Sequence, residues 1–185
     1  MPKTYRRLGV IAGLIALTAL SLTATAQASD RQVAHGKYLV GLMGCNDCHT
    51  PGYFFGKPDQ TRYLGGSDVG FEIPGLGVFV GPNLTPDKAT GLGNWSAKDI
   101  VTALTTGKIP DGRVLAPIMP WEAFSHLTKS DANAIAAYLK SLPLVSHKVA
   151  GPFGPNESPT VFVMKIVPGS GMKPPPGANP SPNNK

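Results

Sequence analysis

The chain has 185 residues, of which 17 are lysine or arginine and 11 are aspartate or glutamate, giving a formal net charge of +6 at pH 7. This length suits one globular domain with additional segments. The basic residues form no stripe with interleaved aromatic residues, so nothing in the composition indicates a nucleic-acid-binding protein.

The first 28 residues have the pattern of a secretory signal peptide. Three basic residues precede an apolar run over residues 8–22, and Ala26-Gln27-Ala28 provides small residues at the spacing of a signal-peptidase site. The apolar run of about 15 residues is shorter than the roughly 20 needed to span a bilayer. We therefore expect cleavage after Ala28 and a periplasmic mature chain, whose formal charge falls to +3 once Lys3, Arg6 and Arg7 are removed.

A helix is predicted at the start of the mature chain. Ser29 or Asp30 can cap it, and apolar residues at helical spacing carry it over about residues 31–43. This helix leads directly into Cys45-Asn46-Asp47-Cys48-His49, which contains both cysteines of the chain.

The pattern Cys-x-x-Cys-His is the attachment signature of a c-type haem. Two thiols at this spacing reach the two vinyl groups on one edge of the porphyrin, and the next residue brings its imidazole beneath the iron. We therefore predict one covalent haem c held by Cys45, Cys48 and His49, with His49 as an iron ligand.

Other interpretations of the cysteine pair are weaker. Two cysteines in an exported protein usually suggest a disulfide, and a thioredoxin-like redox pair requires a βαβ context that is missing here. A zinc site requires four nitrogen or sulfur ligands, and the sequence has no second Cys-x-x-Cys or His-x₃-His pair.

Residues 50–94 are rich in glycine and proline and lack helical periodicity. A loop of this length is unusual inside a compact domain, but it can pack against a large cofactor instead of a sheet. Within it, the segment Gly77–Gly81 is expected to form one short strand.

Two further helices have clear sequence boundaries. Ser96 begins a capping-box-like segment, and the helix that follows extends to about Thr106 before Gly107. Thr128 similarly caps a helix that reaches Ser141 and is stopped by the proline at 143.

The C-terminal part of the chain is predicted to lie outside the haem domain, which we assign to residues 29–143. Residues 144–167 are expected to form an extension packed on that domain, with a strand or extended segment over Val161–Met164. Residues 168–185 consist mostly of glycine, proline, serine and asparagine, and are expected to be disordered.

The sixth iron ligand is predicted to be Met119, in Pro117-Ile118-Met119-Pro120-Trp121. The flanking prolines stiffen the segment that presents the thioether, and histidine–methionine ligation raises the reduction potential. His126, or an open coordination position, is the alternative.

The run from Gly36 to Pro143 resembles a class I cytochrome c domain, and is similar to the haem domains of alcohol and gluconate dehydrogenase cytochrome subunits. The resemblance rests on motifs in the same order, namely Gly36-Lys37-Tyr38-Leu39-Val40, Cys45-Asn46-Asp47-Cys48-His49-Thr50-Pro51, Gly81-Pro82-Asn83-Leu84-Thr85-Pro86-Asp87, Thr90-Gly91-Leu92-Gly93-Asn94-Trp95-Ser96, Pro110-Asp111-Gly112-Arg113, Met119-Pro120-Trp121, Leu127-Thr128 and Ala134-Ile135-Ala136-Ala137-Tyr138-Leu139.

The resemblance implies an all-α cytochrome c fold, with three or more helices around one covalent haem and long Gly/Pro-rich loops. It implies His49 and Met119 as axial ligands, and a crossing of the first and last helices near Gly36 and Tyr138. It also implies an electron carrier and not an enzyme.

Three further residues are assigned to the haem site through the same resemblance. The carbonyl of Pro82 is expected to accept a hydrogen bond from the ligating imidazole, which would orient the ring and make it more basic. Trp95 and Arg113 are expected near the propionates as N–H donors, the alternatives being a core tryptophan and a solvated arginine.

The expected role is single-electron transfer from a periplasmic dehydrogenase to an oxidase or another cytochrome of the respiratory chain, with membrane contact only through these partners. The dehydrogenase subunits carry three such domains and this sequence has one, which favours a soluble shuttle. The alternatives are a fixed cytochrome subunit of a dehydrogenase complex, and a peroxidase-like haem enzyme with an open distal site beside His126.

Overall fold

The computed structural model of the protein describes residue 27, residues 29–167 and residues 169–172. The predicted signal peptide and its cleavage after Ala28, and most of the predicted disordered tail, lie outside these residues. Within the described part of the chain, no helix combines the length and apolar character needed to cross a membrane.

Five α-helices and two short 3₁₀ turns follow one another along the described chain. The 3₁₀ turns span Tyr53–Phe55 and Gln60–Arg62. The helices are α1 over residues 29–42, α2 over Cys45–His49, α3 over Ala97–Thr106, α4 over Trp121–Phe124 and α5 over Lys129–Ser141.

The ends of α3 and α5 confirm the boundaries expected from capping residues. The Ser96 hydroxyl accepts from the backbone N–H of Asp99, whose carboxylate accepts from the N–H of Ser96, so a full capping box begins α3. Gly107 ends that helix in the left-handed region, at φ 71°. Thr128 accepts from the N–H of Asp131 at the start of α5.

Helices α1 and α5 cross where Gly36 faces Ala134 and Tyr138, as predicted. A Cβ atom on Gly36 would overlap the carbonyl oxygen of Ala134 and would lie 2.8 Å from Cβ of Tyr138. The two backbones can therefore approach this closely only because position 36 has no side chain.

The all-α prediction is wrong, because the described chain also contains a three-stranded sheet of order β2-β1-β3. Strand β1, Val69–Ile73, pairs antiparallel with β2, Gly77–Val80, which lies within the predicted short strand. Strand β3, Phe162–Met164, pairs parallel with β1. The long loop thus satisfies its backbone hydrogen-bonding groups by pairing with itself and with the C-terminal extension, in addition to any packing on a cofactor.

The apolar core lies between α1, α3, α5 and the loop after α2. Its buried members are Val40, Leu64, Leu92, Ile100, Leu104, Ile135, Ala136, Tyr138 and Leu139. Cys45, Trp95 and Met119 are partly buried and pack against this cluster. Three residues assigned to the haem site therefore border one apolar region.

Candidate haem-binding site

The attachment motif forms its own short helix because the chain turns at Gly44. Gly44 adopts φ 65°, a left-handed conformation that disfavours residues with a side chain, and α2 begins at the next residue. Cys45 and Cys48 are three residues apart in that helix, so their side chains project from the same face. His49 is its last helical residue, and Thr50 leaves in an extended conformation.

The His49 imidazole is buried and held by one hydrogen bond. His49 is 6% exposed, and its Nδ1 atom lies 2.7 Å from the carbonyl oxygen of Pro82. A carbonyl can only accept, so Nδ1 carries the proton and Nε2 keeps its lone pair for a metal. Burial lowers the pKa of His49 and the Pro82 hydrogen bond opposes that shift, so the neutral ring is favoured at neutral pH.

The Pro82 carbonyl can reach His49 because Gly81 lies directly against α2. A Cβ on Gly81 would overlap the carbonyl oxygen of Cys48 and lie 3.3 Å from Nδ1 of His49. The close approach of Gly81 therefore brings the Pro82 carbonyl oxygen within hydrogen-bonding distance of the His49 ring.

The two cysteine thiols are free and partly buried. Burial raises the pKa of Cys45 to about 11, opposed by a backbone hydrogen bond. The pKa of Cys48 is also raised, by burial and then by the negative charge of Asp47. Conversion to thioethers would remove both ionisable groups from this environment.

The residues present fit a covalent haem. Two thiols on one helical face, a buried imidazole with a free Nε2 and an adjoining apolar region match the attachment chemistry. Within the described ranges, no group of three or more His, Cys, Asp or Glu side chains could hold a metal ion, which leaves the zinc interpretation without a ligand set.

Met119 lies in the turn before α4. Its N–H donates to Ala116 at 3.0 Å, its carbonyl accepts from Trp121 at 2.8 Å, and it borders the same apolar cluster as Cys45. His126, the alternative ligand, is exposed in the turn between α4 and α5. The role of Met119 as sixth ligand stays a prediction.

The two residues assigned to the propionates differ in their surroundings. Trp95 is partly buried against the core, and its carbonyl accepts from the Lys140 ammonium at 2.8 Å. Arg113 is exposed and forms an ion pair with Asp111 at 2.7 Å. Their propionate contacts also stay predictions.

A pair of tyrosines near Cys45 was not anticipated. The side chains of Tyr63 and Tyr138 are close enough to interact with each other, and Tyr63 is close enough to Cys45 for their charges to interact. Burial raises the pKa of Tyr138 to about 12, so the pair stays protonated at neutral pH. Tyr138 belongs to the predicted helix crossing, but no sequence signal connected it with Tyr63.

A set of buried polar residues follows Pro82 in the same loop and was not predicted from the sequence. Asn83 is 1% exposed and Thr85 is fully buried, and both are bonded to the C-terminal extension near Val145. The segment from Asn83 to Thr90 is mainly polar, and this composition does not distinguish buried loop residues from exposed ones.

The fold and the site together define a class of protein: a small domain in which α2 presents a Cys-x-x-Cys-His haem-attachment motif beside a helix-lined apolar core. The chain matches the Cytochrome c family model over residues 33–143, more than half of its length. It therefore belongs to the cytochrome c family, whose members bind a covalent haem and transfer electrons.

Known relatives confirm the resemblance to dehydrogenase cytochrome subunits. The chain is 38% identical over 113 residues to the fructose dehydrogenase cytochrome subunit of Gluconobacter japonicus, covering 58% of this chain and 21% of that protein. It is 39% identical over 126 residues to the cytochrome c subunit of the quinone alcohol dehydrogenase of Gluconobacter oxydans, covering 63% of this chain and 25% of that protein. The chain is 32% identical over 131 residues to the gluconate 2-dehydrogenase cytochrome c subunit of Pantoea cypripedii, covering 71% of this chain and 27% of that protein. The chain thus spans about a quarter of the length of these relatives.

Proposed function

We propose that this chain is a periplasmic monohaem c-type cytochrome that carries single electrons from a periplasmic dehydrogenase to the respiratory chain. The observation that carries the proposal is the buried His49 imidazole, whose Nδ1 is held by Pro82 at 2.7 Å so that Nε2 keeps its lone pair, in the same short helix as Cys45 and Cys48. One such motif is present in the sequence, which supports one covalent haem.

The chain's own residues would hold and tune the cofactor. A bound haem supplies an iron that alternates between Fe(III) and Fe(II). Cys45 and Cys48 would attach it covalently, which would prevent its loss during repeated reduction and oxidation. His49 and Met119 would be the two iron ligands that the chain supplies, and the presence of both would favour electron transfer over substrate binding.

The predicted partners follow from the relatives' names and from the predicted leader. We propose a periplasmic dehydrogenase as electron donor and an oxidase or another cytochrome as acceptor, with membrane contact only through them. Because the relatives are named as dehydrogenase cytochrome subunits, a fixed subunit is the second candidate. Co-purification of the native protein with a dehydrogenase at constant stoichiometry would favour the fixed subunit over the shuttle.

Replacing Met119 tests the electron-carrier proposal directly. The purified oxidised holoprotein should be low-spin and should show the weak far-red sulfur-to-iron absorption band. Met119→Ala should abolish this band and lower the reduction potential, because a neutral thioether stabilises Fe(II). Optical spectroscopy and potentiometric titration measure both effects.

Met164→Ala is the matched control, since Met164 is 44% exposed in β3. It should leave the band and the potential unchanged. A high-spin spectrum of the unmodified protein would contradict the carrier proposal and favour a haem enzyme with an open distal site.

A further inference from the structure

The segment just after α5 lies against the loops that hold the proximal histidine. We call residues 145–149 the outer segment. It lies beyond residues 33–143, which the family model matches. The family match therefore does not describe its contacts.

Two loops fix His49, one at its backbone and one at its ring. The N–H of Gly66 donates to the His49 carbonyl at 2.8 Å, and the Pro82 carbonyl accepts from Nδ1 of His49 at 2.7 Å. The N–H of Ser67 donates to the carbonyl of Gly81 at 2.9 Å and joins the two loops. A displacement of either loop is thus transmitted to the imidazole.

The outer segment is bonded to both loops. The His147 ring donates from Nδ1 to the carbonyl of Gly65 at 2.7 Å, next to the Gly66 anchor. The side-chain amide of Asn83 donates to the carbonyl of Val145 at 2.7 Å, next to the Pro82 anchor. Gly65 is adjacent to Gly66 and Asn83 is adjacent to Pro82, so each contact lies one residue away from a group that is bonded to His49.

Thr90 completes the connection between Asn83 and the outer segment. Its hydroxyl oxygen accepts from the Asn83 amide at 3.1 Å and from the N–H of His147 at 3.1 Å, and it donates to Asp87 at 2.7 Å. Asn83 is 1% exposed, so loss of a partner would leave its buried polar atoms unsatisfied. The position of the Asn83 amide is therefore strongly constrained.

Packing around the two glycines leaves the outer segment little freedom. A Cβ on Gly65 would lie 2.8 Å from Cγ1 of Val145, and a Cβ on Gly66 would overlap Cγ2 of Val149. Because the interior is closely packed, a shift of the outer segment would also move these loops.

We propose that the outer segment positions the Pro82 carbonyl against the His49 imidazole and thereby lowers the reduction potential of the haem. The inference rests on the proposed function, since it requires a haem ligated by His49. A shorter, straighter Nδ1–H···O hydrogen bond makes the imidazole a stronger electron donor, which stabilises Fe(III) relative to Fe(II). His147, Asn83 and Thr90 are positioning residues in this scheme, because they act through Pro82.

Replacing Thr90 by valine in the full-length holoprotein tests the proposal. Valine keeps the shape of the side chain but removes the acceptor for Asn83 and for His147. The reduction potential should rise, and the His49 Nδ1 proton should exchange about fivefold faster by NMR, which corresponds to about 1 kcal/mol of lost hydrogen-bond free energy. Thr90→Ser should restore both values.

The matched control is Thr105→Val, because Thr105 is also partly buried and its hydroxyl donates only along α3, to Val101 at 2.8 Å. A general loss of stability would affect both valine variants. Only the Thr90 variant should change the potential and the Nδ1 exchange.

A second pair of variants tests the contact between His147 and Gly65 in the other loop, and it leaves the hydrogen bond between Thr90 and Asp87 in place. His147→Leu removes the donor to Gly65, and His147→Asn retains an amide N–H near the position of Nδ1. The potential should rise in the leucine variant and return in the asparagine variant. This pair decides the question if Thr90→Val does not fold.

The outcomes separate the two proposals. If the unmodified protein attaches no haem, the proposed function fails. If it attaches haem with His49 as ligand but the Thr90 and His147 variants keep the potential of the Thr105 control, the positioning role is wrong while the function stands.

Discussion

Gly81 determines how closely the Pro82 loop can approach the attachment helix. No side chain fits there, because a Cβ would overlap the carbonyl oxygen of Cys48. The 2.7 Å contact between Pro82 and His49 depends on this close approach.

Gly81→Ala should therefore push the loop away from α2. We expect a loss of about 1–3 kcal/mol in the free energy of unfolding, as for other overpacked sites. The reduction potential should rise, because the hydrogen bond to His49 lengthens. Chemical denaturation and potentiometric titration measure the two effects.

Gly154→Ala serves as its control, since a Cβ there would meet nothing closer than 3.7 Å. It should leave both quantities nearly unchanged. Equal effects of the two substitutions would show that the Gly81 contact has no special role.

At the scale of single residues, the sequence predicts the roles of residues that belong to one local motif. Cys45, Cys48 and His49 are adjacent in the chain, and their chemistry follows from spacing alone. The contact between His49 and Pro82 spans 33 residues, so it could be expected only through the resemblance. Asn83 was missed because its bond to Val145 spans 62 residues and leaves no periodic pattern.

At the scale of elements, the crossing of α1 and α5 sets the position of the attachment motif, since α1 leads directly into α2. The crossing depends on the backbone contact at Gly36. A second glycine in α1, Gly41, is exposed and would have nothing within 4 Å of an added Cβ.

Gly36→Ala should destabilise the protein by about 1–3 kcal/mol, because the added methyl group overlaps Ala134 and forces the helices apart. Gly41→Ala, in the same helix, should stabilise it by about 0.5–1 kcal/mol, since alanine restricts the unfolded chain and favours the helix. Thermal or urea unfolding should show a lower free energy of unfolding for Gly36→Ala and a higher one for Gly41→Ala. Two changes of the same sign would contradict the crossing.

The elements predicted correctly are those with local signals. Ser96 and Thr128 mark helix starts through bonds that reach only three residues ahead. Strand β2 and the segment that contains β3 were predicted, but β1 and the pairing of the strands lacked such signals, because β1 pairs with β3 across more than 90 residues and contains a glycine in a Gly/Pro-rich run. Pairing of this kind depends on the tertiary structure and not on local preference.

At the scale of the whole molecule, aspartates that are partly or fully exposed to solvent form hydrogen bonds at the starts of several loops and helices. Hydrogen bonds from Thr61 and Arg62 lower the pKa of Asp59 to about 2. Hydrogen bonds to neighbouring side chains and backbone groups likewise lower the pKa of the carboxyls that begin or brace other segments, namely Asp87, Asp99, Asp111 and Asp131. Each carboxyl binds a proton less readily in the folded chain than in the unfolded chain.

The free energy of unfolding should consequently decrease as the pH falls through the range in which these carboxyls bind protons. Because the folded pKa values are depressed, the contribution of these groups is complete above the unfolded aspartate pKa of about 3.9. It is lost as pH falls below that value towards the folded pKa. The contribution of these aspartates to the urea midpoint should be flat between about pH 5 and 7 and should fall below about pH 4.

Asp99→Asn should reduce the part of this acid dependence that arises from the α3 capping box. Asp30→Asn, a change at an exposed position in α1, is the comparison variant and should leave the dependence as it is. An unchanged profile in Asp99→Asn would mean that the capping carboxylate does not contribute.

The buried Cys45 thiol has a consequence for the order in which the protein is made. A thiol reacts as the thiolate, and in the folded chain burial raises the pKa of Cys45 to about 11. In the folded chain this group is partly buried against the core and holds its proton more firmly than in the unfolded chain. Thioether formation should therefore be faster in the unfolded chain than in the folded one, which favours attachment of the haem before the chain folds around it.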